Sequence, residues 1–258
     1  MTDPELAATR AAASRSDEAA RTAAAMAAAE LVSSGMIIGL GSGRAVWKVV
    51  ELLGERFGVA GGAAGVEAGV PAPRGPLRAV AASSRTAELA RAVGIDVVEL
   101  DGRLELDLAL DGADEVDDSL RLIKGGGGAL LREKIVVSAA REFVVVAETG
   151  KRVERLGERF RLPVEVVRFA WRDTRRRLSA LLPNPALRIG PDGEPYLTDE
   201  AHYILDCALP GDADLDLLDH VLKHVPGVVE HGLFIGLASR ALLGRPDGGV
   251  EVLERPAG

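Results

Sequence analysis

The feature that most constrains the fold is a regular alternation of short apolar runs with helix-forming stretches in the first half of the chain. The apolar runs cover residues 36–40, 78–82, 95–100, 106–110 and 143–147, and the helix-forming stretches cover residues 17–33, 44–57, 83–93 and 129–140. Runs of this length are typical of buried strands. Strands that alternate with helices pair in parallel, and the helices cover both faces of the sheet. The sequence therefore predicts an α/β fold with a doubly wound, mostly parallel, Rossmann-like sheet.

The second half of the chain has a different rhythm. After residue 160 the predicted order is strand, helix, strand, strand, helix, strand, which is the order of a ferredoxin-like α+β domain. Residues 58–77 are dense in Gly, Ala and Pro and lack periodicity, which predicts a flexible loop. The predicted division is a mobile tail at 1–16, a Rossmann-like catalytic domain at 17–160 plus 233–258, and the ferredoxin-like domain at 161–232.

Chemically distinctive residues follow several of the predicted parallel strands. They are Gly41, Ser42, Gly43, Ser83, Asp111, Asp114 and Lys151. Ligands of doubly wound sheets bind beyond the carboxyl ends of the strands, so these residues are expected to form one site. The loop Gly41–Gly43 precedes a helix and can cradle a phosphate, although it lacks the lysine and third glycine of nucleotide-binding loops. Taken alone, Ser83 could be only a helix N-cap and Lys151 only a solvated cation.

The densest group of functional residue types lies between Asp107 and Lys134. Four consecutive glycines, residues 125–128, let the backbone approach a ligand and can form an anion-binding concavity before a helix. Lys124 would stabilise an oxyanion, and Glu133, near the helix N-terminus, would be an available base. Together these residues suggest proton transfer at a carbon next to a carbonyl. The alternative is a plain glycine loop before a helix, with acids capping a turn.

Composition excludes several classes of function. The net charge of −8 argues against a nucleic-acid surface, and no apolar run is long enough to span a membrane. The single cysteine, Cys207, excludes an internal disulfide. His220 and His224 have metal-like spacing, but no acid or cysteine completes a zinc pattern, so no metal site is expected. The charged, alanine-rich N-terminus is not a signal peptide, and the predicted location is cytoplasmic.

Several segments are similar to those of a known family. They are GLGSG at 39–43, SSRTAELARAVGI at 83–95, DGADEVD at 111–117, IKGGGGALLREK at 123–134, LPVEV at 162–166, YLTD at 196–199, YILD at 203–206 and PGVVEHGLF at 226–234. In this order, and together with the strand that leads to Lys151, they resemble ribose-5-phosphate isomerase of the A type. The resemblance covers roughly residues 20–255. Its DGADE block at 111–115 and its KGGGGALLREK block at 124–134 are highly specific to this family.

The resemblance implies interconversion of ribose 5-phosphate and ribulose 5-phosphate through an enediolate, a step of the pentose phosphate pathway. By position, Glu133 matches the family's base and Lys124 its oxyanion stabiliser, and Asp111 and Asp114 assist hydroxyl proton transfer and ring opening. The residues expected to bind the sugar phosphate are Gly41, Ser42, Gly43, Arg44, Ser83, Gly112, Ala113, Gly125, Gly126, Gly127 and Lys151. No metal or other cofactor is implied, and a homodimer or homotetramer is expected.

The chain departs from the family pattern in the phosphate loop. The family's usual G-T-G-S-T is here Gly41-Ser42-Gly43-Arg44-Ala45, so two hydroxyl positions are lost and a cation is gained. After the Thr198-Asp199 pair the family usually has Asn and Gly, whereas here Glu200-Ala201-His202 follow. Two alternatives therefore stay open: an isomerase of a different sugar phosphate, which Arg44 would permit, and a sugar-phosphate sensor. The intact acids and lysine argue against a sensor, which needs no base.

Overall fold

The computed structural model describes residues 3–58 and 77–255, and the side chains from Ser14 onward within these ranges. The predicted flexible loop at 58–77 lies outside the described residues except for its two ends. The strands are β1 (Ile37–Leu40), β2 (Arg78–Ala81), β3 (Asp96–Val97), β4 (Leu108–Asp111), β5 (Glu115–Val116), β6 (Leu122–Ile123), β7 (Phe143–Glu148), β8 (Leu162–Val166), β9 (Ala186–Leu187), β10 (Tyr203–Cys207), β11 (Val228–His231), β12 (Leu233–Phe234), β13 (Arg240–Gly244) and β14 (Val250–Glu254). The helices are α1 (Asp3–Glu30), α2 (Arg44–Phe57), α3 (Ser84–Ala92), α4 (Leu130–Ser138), α5 (Trp171–Leu178) and α6 (Leu215–Lys223).

The central sheet has seven strands in the order β14-β13-β7-β4-β1-β2-β3. Every neighbouring pair is parallel except β13 and β14, which form an antiparallel edge. In the middle of the sheet, Gly39 of β1 lies between Val80 and Ala109 of its two neighbours. The predicted doubly wound, mostly parallel sheet is confirmed, and all five strands predicted in the first half of the chain are present.

Helices cover both faces of this sheet. On one face, α1 and α2 pack on each other and on the strands through buried small and branched side chains such as Ala24, Val46 and Leu53. On the other face, α4 contributes Val136 and Val137. Helix α2 has the predicted bounds, but α1 begins at Asp3, so the predicted helix start at Asp17 was wrong. The alanine-rich N-terminal sequence has a helix propensity that continues well before Asp17.

The second half of the chain forms a four-stranded antiparallel sheet in the order β11-β8-β10-β9. With α5 and α6 it has the predicted order of a ferredoxin-like unit, βαββαβ. A third sheet, β12-β6-β5, was not predicted. In it β12 pairs with β6, whose residues lie within the segment 17–160 to which the chain was predicted to return there. The chain re-enters the central sheet at β13, which was also missed. Two-residue strands are too short to show a period of two.

We keep as a proposal the division into a domain at 17–160 plus 233–258 and a smaller domain at 161–232. None of the described helices has both the length and the apolarity that a membrane span requires.

Candidate active site

A cavity of about 370 Å³ opens at the carboxyl ends of β1, β4 and β7. The predicted residues that line it are Ser42, Gly43, Arg44, Gly112, Ala113, Asp114, Lys124, Gly125, Gly126, Gly127, Glu133 and Lys151. Most of the predicted site residues thus surround one space, as expected for residues that follow the carboxyl ends of parallel strands. Gly41, Ser83 and Asp111 lie behind this wall and not on it.

Lys124 is the centre of a buried charge cluster. Its Nζ lies 2.9 Å from Oδ2 of Asp111 and 3.3 Å from Oε2 of Glu133, and it donates to the carbonyl oxygen of Gly112 at 2.7 Å. The lysine is 3% exposed, Glu133 is 5% exposed and Asp111 is fully buried. One ammonium group therefore bridges two carboxylates, of which only Glu133 reaches the cavity.

Backbone geometry at the ends of β1 and β4 fixes the Asp111 carboxylate. Its Oδ1 accepts hydrogen bonds from the amides of Gly112 at 2.7 Å and Ser42 at 3.2 Å. A Cβ at position 41 would lie 1.9 Å from the Asp111 carboxyl group, so only glycine fits there. Gly41 thus serves the site by leaving room for this carboxylate and not by touching a ligand.

The charges of the cluster change each other's pKa. The pKa of Glu133 is raised from its ordinary 4.5 to about 8, first by burial and next by the charge of Asp111, against the opposing effect of Lys124. Burial also raises the pKa of Asp111, although Lys124 opposes this. For Lys124 burial lowers the pKa, but Asp111 and Glu133 outweigh it and the pKa is raised. The lysine is therefore a permanent cation, and Glu133 is a carboxyl group that can gain and lose a proton near neutral pH.

The predicted helix-dipole effect on Glu133 is overridden. Glu133 does lie in the first turn of α4, where the dipole favours a carboxylate. Burial and the nearby charge of Asp111 together have the larger effect, since the pKa of Glu133 is raised and not lowered. A raised pKa brings a carboxylate closer to the basicity that proton abstraction from carbon requires.

The glycine loop, residues 125–128, contributes Gly125, Gly126 and Gly127 to the cavity wall. Gly125 and Gly128 have φ of +102° and +83°, which side chains rarely adopt. The amide of Gly126 donates to Oδ2 of Asp114 at 2.7 Å, and this bond places the aspartate on the cavity wall. A Cβ at Gly127 would meet no atom within 4 Å, so the middle of the loop borders open space.

The predicted phosphate loop lies at the start of α2. Gly43 is the N-cap with φ of 99°, and because it has no side chain the first amides of the helix are left for a ligand. The hydroxyl of Ser42 lies 3.0 Å from that of Ser83, which caps α3 by accepting from the amide of Thr86 at 3.1 Å. Arg44 is exposed and lines the cavity; Glu51, its possible partner on α2, pairs instead with Lys48 at 2.9 Å.

Six further residues line the cavity without having been predicted: Ala45, which follows Arg44, and five from other parts of the chain. These five are Arg21, Trp47, Val146, Glu148 and Phe160. Arg21 is 4% exposed within the alanine-rich helix α1 and donates to Oε1 of Glu148 at 2.5 Å. The signal that could have revealed it is a long cation at a position where the helix is otherwise lined by buried alanines. Arg44 and Lys151 add positive charge to the cavity wall, whereas the charge of Arg21 is paired with Glu18 and Glu148.

Among residues 3–58 and 77–255, no three His, Cys, Asp or Glu side chains are grouped in a way that could hold a metal ion. The cavity offers a base at Glu133, a fixed cation at Lys124 and further cations at Arg44 and Lys151. A base beside a cation suits the removal of a proton next to a carbonyl, and cations with free amides suit a phosphate.

Comparison with known proteins gives a consistent result. A family model described as ribose 5-phosphate isomerase A (phosphoriboisomerase A) matches residues 78–248. Ribose-5-phosphate isomerase A of Synechococcus sp. (strain JA-3-3Ab) is 46% identical over 236 residues, which are 91% of this chain and 96% of the relative.

Two solved structures share the fold. Ribose 5-phosphate isomerase A from Methanocaldococcus jannaschii is 34% identical with a TM-score of 0.81, covering 92% of this chain and 99% of its own. A D-ribose-5-phosphate isomerase in complex with phospho-erythronic acid is 32% identical with a TM-score of 0.83, covering 93% of this chain and 99% of its own.

Proposed function

The chain belongs to the ribose 5-phosphate isomerase A family and interconverts D-ribose 5-phosphate and D-ribulose 5-phosphate, and we propose that Glu133 is the base of this reaction. The observation that carries the proposal is the position of the Glu133 carboxylate on the cavity wall, buried and 3.3 Å from the Lys124 ammonium. A base beside a fixed cation can remove a proton from carbon while the negative charge that develops on oxygen is stabilised.

The proton transfer follows from this arrangement. Glu133 takes the proton from C2 of the open-chain aldose, the C–H electron pair forms the C1–C2 double bond, and the carbonyl electrons move onto the C1 oxygen. The resulting enediolate lies near Lys124, whose raised pKa keeps it charged throughout. The O2 hydroxyl proton then passes to O1 while the O2 electrons form the C2 carbonyl, and the electron pair of the C1–C2 double bond takes the proton back from Glu133 at C1, which completes the ketose.

The two aspartates have different positions, and we propose different roles for them. Asp114 lines the cavity and accepts from the loop amide of Gly126, so it can exchange protons with sugar hydroxyl groups. Asp111 is fully buried behind Lys124, 2.9 Å from its Nζ. It would act on the reaction by orienting the lysine, which refines the expectation that both aspartates handle substrate protons.

The substrate's phosphate would bind at the start of α2, where Gly43 leaves the helix amides free and Arg44 and Lys151 supply positive charge. The direct test is an assay of ribulose 5-phosphate formation from ribose 5-phosphate in the presence of a strong chelator. Turnover that persists supports a metal-independent isomerase. An inactive, correctly folded protein would contradict the proposal.

A second candidate is isomerisation of a different sugar phosphate, and the exposed Arg44 on the cavity wall is the observation that favours it. A guanidinium group there adds donors for a phosphate but also occupies space. Comparison of kcat/KM for ribose 5-phosphate with those for other aldose phosphates decides between the two. A sensor without catalysis is disfavoured because it needs no buried carboxylate beside a lysine.

We expect Arg44→Ala to raise KM for ribose 5-phosphate about ten- to a hundredfold, because a charge-assisted hydrogen bond contributes about 1.5–3 kcal/mol. The phosphate is remote from the reacting carbons, so kcat should change less than KM. Steady-state kinetics measure both constants. Lys48→Ala is the matched control, because it also removes one cation from α2. Lys48 pairs with Glu51 and does not line the cavity. An unchanged KM would refute the phosphate role, and a lowered KM would favour the second candidate.

The raised pKa of Glu133 predicts a pH profile. The base must be ionised, so kcat/KM should fall about tenfold per pH unit as the pH drops below about 8. The same shift predicts that stability declines as the pH rises from 4.5 towards 8, because the folded protein binds the Glu133 proton more tightly than the unfolded chain does. Rate profiles and urea unfolding across this window measure both effects. A kcat/KM that stays flat between pH 6 and 8 would contradict the assignment.

We further propose that the protein acts in the cytoplasm, in the pentose phosphate pathway, as a homodimer or homotetramer. The exposed apolar side chains of Phe169, Ile189 and Leu217, which are 89%, 53% and 58% exposed, support association with further copies.

A further inference from the structure

The carbonyl groups of the glycine loop point towards the smaller domain and not into the cavity. Arg188, directly after β9, donates from Nη1 to the carbonyl oxygens of Gly125 at 2.8 Å and Gly126 at 3.1 Å. The hydroxyl of Tyr196 donates to the carbonyl oxygen of Gly127 at 3.0 Å. Three successive carbonyls of the loop are therefore bound by two side chains of a different domain.

These two side chains are themselves held in place. Arg188 forms a two-pronged ion pair with Asp206 of β10, one prong measuring 2.9 Å between Nε and Oδ2, and its side chain is only 14% exposed. The amide of Tyr196 donates to the carbonyl of Arg188 at 3.0 Å, which ties the two anchors to each other. Because an arginine fork bound to a carboxylate is a rigid donor, the loop is attached to a fixed frame.

The glycines of the loop leave the room that this attachment needs. A Cβ on Gly128 would lie 2.3 Å from the Tyr196 hydroxyl oxygen, so the tyrosine needs glycine at that position. On the cavity side, Gly126 donates its amide to Asp114, and Gly127 borders open space. The loop is thus held by its carbonyls on one side and presents amide and Cα groups on the other.

We infer that Arg188 and Tyr196 are positioning residues for the isomerisation, which keep the loop carbonyls away from the enediolate and hold Asp114 and Gly127 against the substrate. A carbonyl oxygen carries partial negative charge, so one turned towards the developing oxyanion would oppose Lys124. Neither Arg188 nor Tyr196 lines the cavity. They act through the loop, and this inference rests on the proposed function.

The test compares Tyr196→Phe and Arg188→Lys with two matched controls. Tyr203→Phe removes the hydroxyl of a tyrosine in the same domain that packs edge-on against Trp171. Arg161→Lys alters an arginine that also donates to backbone carbonyls, those of Asp206 and Asn184, but not to the loop. We expect kcat to fall about ten- to a hundredfold in the two test variants, as misplacement of reacting groups by about 1 Å does. KM should change less than threefold, and the controls should match the unaltered protein.

A second readout separates positioning from a general structural role. Phospho-erythronic acid carries a carboxylate where the enediolate forms, whereas ribitol 5-phosphate carries only hydroxyl groups there. We expect Tyr196→Phe to weaken binding of the acid about tenfold and to leave binding of ribitol 5-phosphate and the thermal midpoint nearly unchanged. Equal weakening of both ligands, or an unchanged kcat in Tyr196→Phe, would overturn the inference. If the unaltered protein does not isomerise ribose 5-phosphate, the proposed function fails, which is a separate result.

Discussion

Glu133→Gln is expected to abolish isomerisation while leaving substrate binding nearly intact. The amide has the shape of the carboxyl group but cannot accept the C2 proton. Loss of a general base typically lowers the rate about 10²–10⁴-fold. The reduction should lie at the upper end of this range or beyond, because Glu133 is only 5% exposed and leaves little room for water to act in its place.

Two measurements distinguish loss of the base from loss of the fold. Exchange of the C2 hydrogen with solvent deuterium should disappear together with turnover, while phospho-erythronic acid should still bind. Glu88→Gln is the matched control, since Glu88 is exposed on α3 and does not line the cavity. If Glu133→Gln retained most of the wild-type kcat, the base would have to be another cavity carboxylate, and Asp114 would be the first candidate.

The elements predicted best from the sequence are those in which a start or stop residue and the spacing of apolar residues indicate the same helix or strand. Helix α2 runs from Arg44 to Phe57 as predicted, because Gly43 defines its start and apolar residues recur at helical spacing up to Phe57. The third sheet could not be predicted, since β5, β6 and β12 have two residues each and are fixed by contacts between distant segments. Propensity also misplaced the start of α1, where many alanines left no boundary signal.

The site shows the same division between local and tertiary information. The glycines and charges between Asp107 and Lys134 indicated the chemistry, because few structural needs account for that combination. The sequence did not show that Asp111 lies behind Lys124 while Asp114 faces the cavity. A strand buried on both faces, such as β4, carries no alternation that would reveal which way its last residue points.

Lys124→Met is expected to reduce both activity and stability strongly. Removing one partner of a buried ion pair typically destabilises a protein by about 3–5 kcal/mol, and Lys124 bridges two buried carboxylates at 2.9 and 3.3 Å. Without the cation the pKa of Glu133 should rise further, since Lys124 is the group that lowers it. The variant should therefore lose the oxyanion stabiliser, worth about 10²–10³ in kcat, and keep its base protonated up to a higher pH than the wild type does.

Urea unfolding and steady-state kinetics at pH 6 and pH 9 test this expectation. The loss of stability should be larger at pH 9, because the two buried carboxyl groups resist ionisation without Lys124 whereas the unfolded chain ionises freely. Lys134→Met is the matched control: Lys134 is also buried and pairs with Glu230 at 2.8 Å, but it does not line the cavity. It should cost similar stability with little change in kcat per folded molecule. A Lys124→Met protein with near wild-type kcat would exclude the lysine as oxyanion stabiliser.

Combining Lys124→Met with Asp111→Asn tests how the buried aspartate contributes. If Asp111 acts only by holding the lysine, Asp111→Asn should lower kcat in the wild-type background and have no further effect once Lys124 is gone. The double variant should even recover stability relative to Lys124→Met, because one of the two unpaired buried carboxylates has been removed. Additive losses in kcat would instead show that Asp111 exchanges protons with the substrate directly, despite its complete burial in this structure.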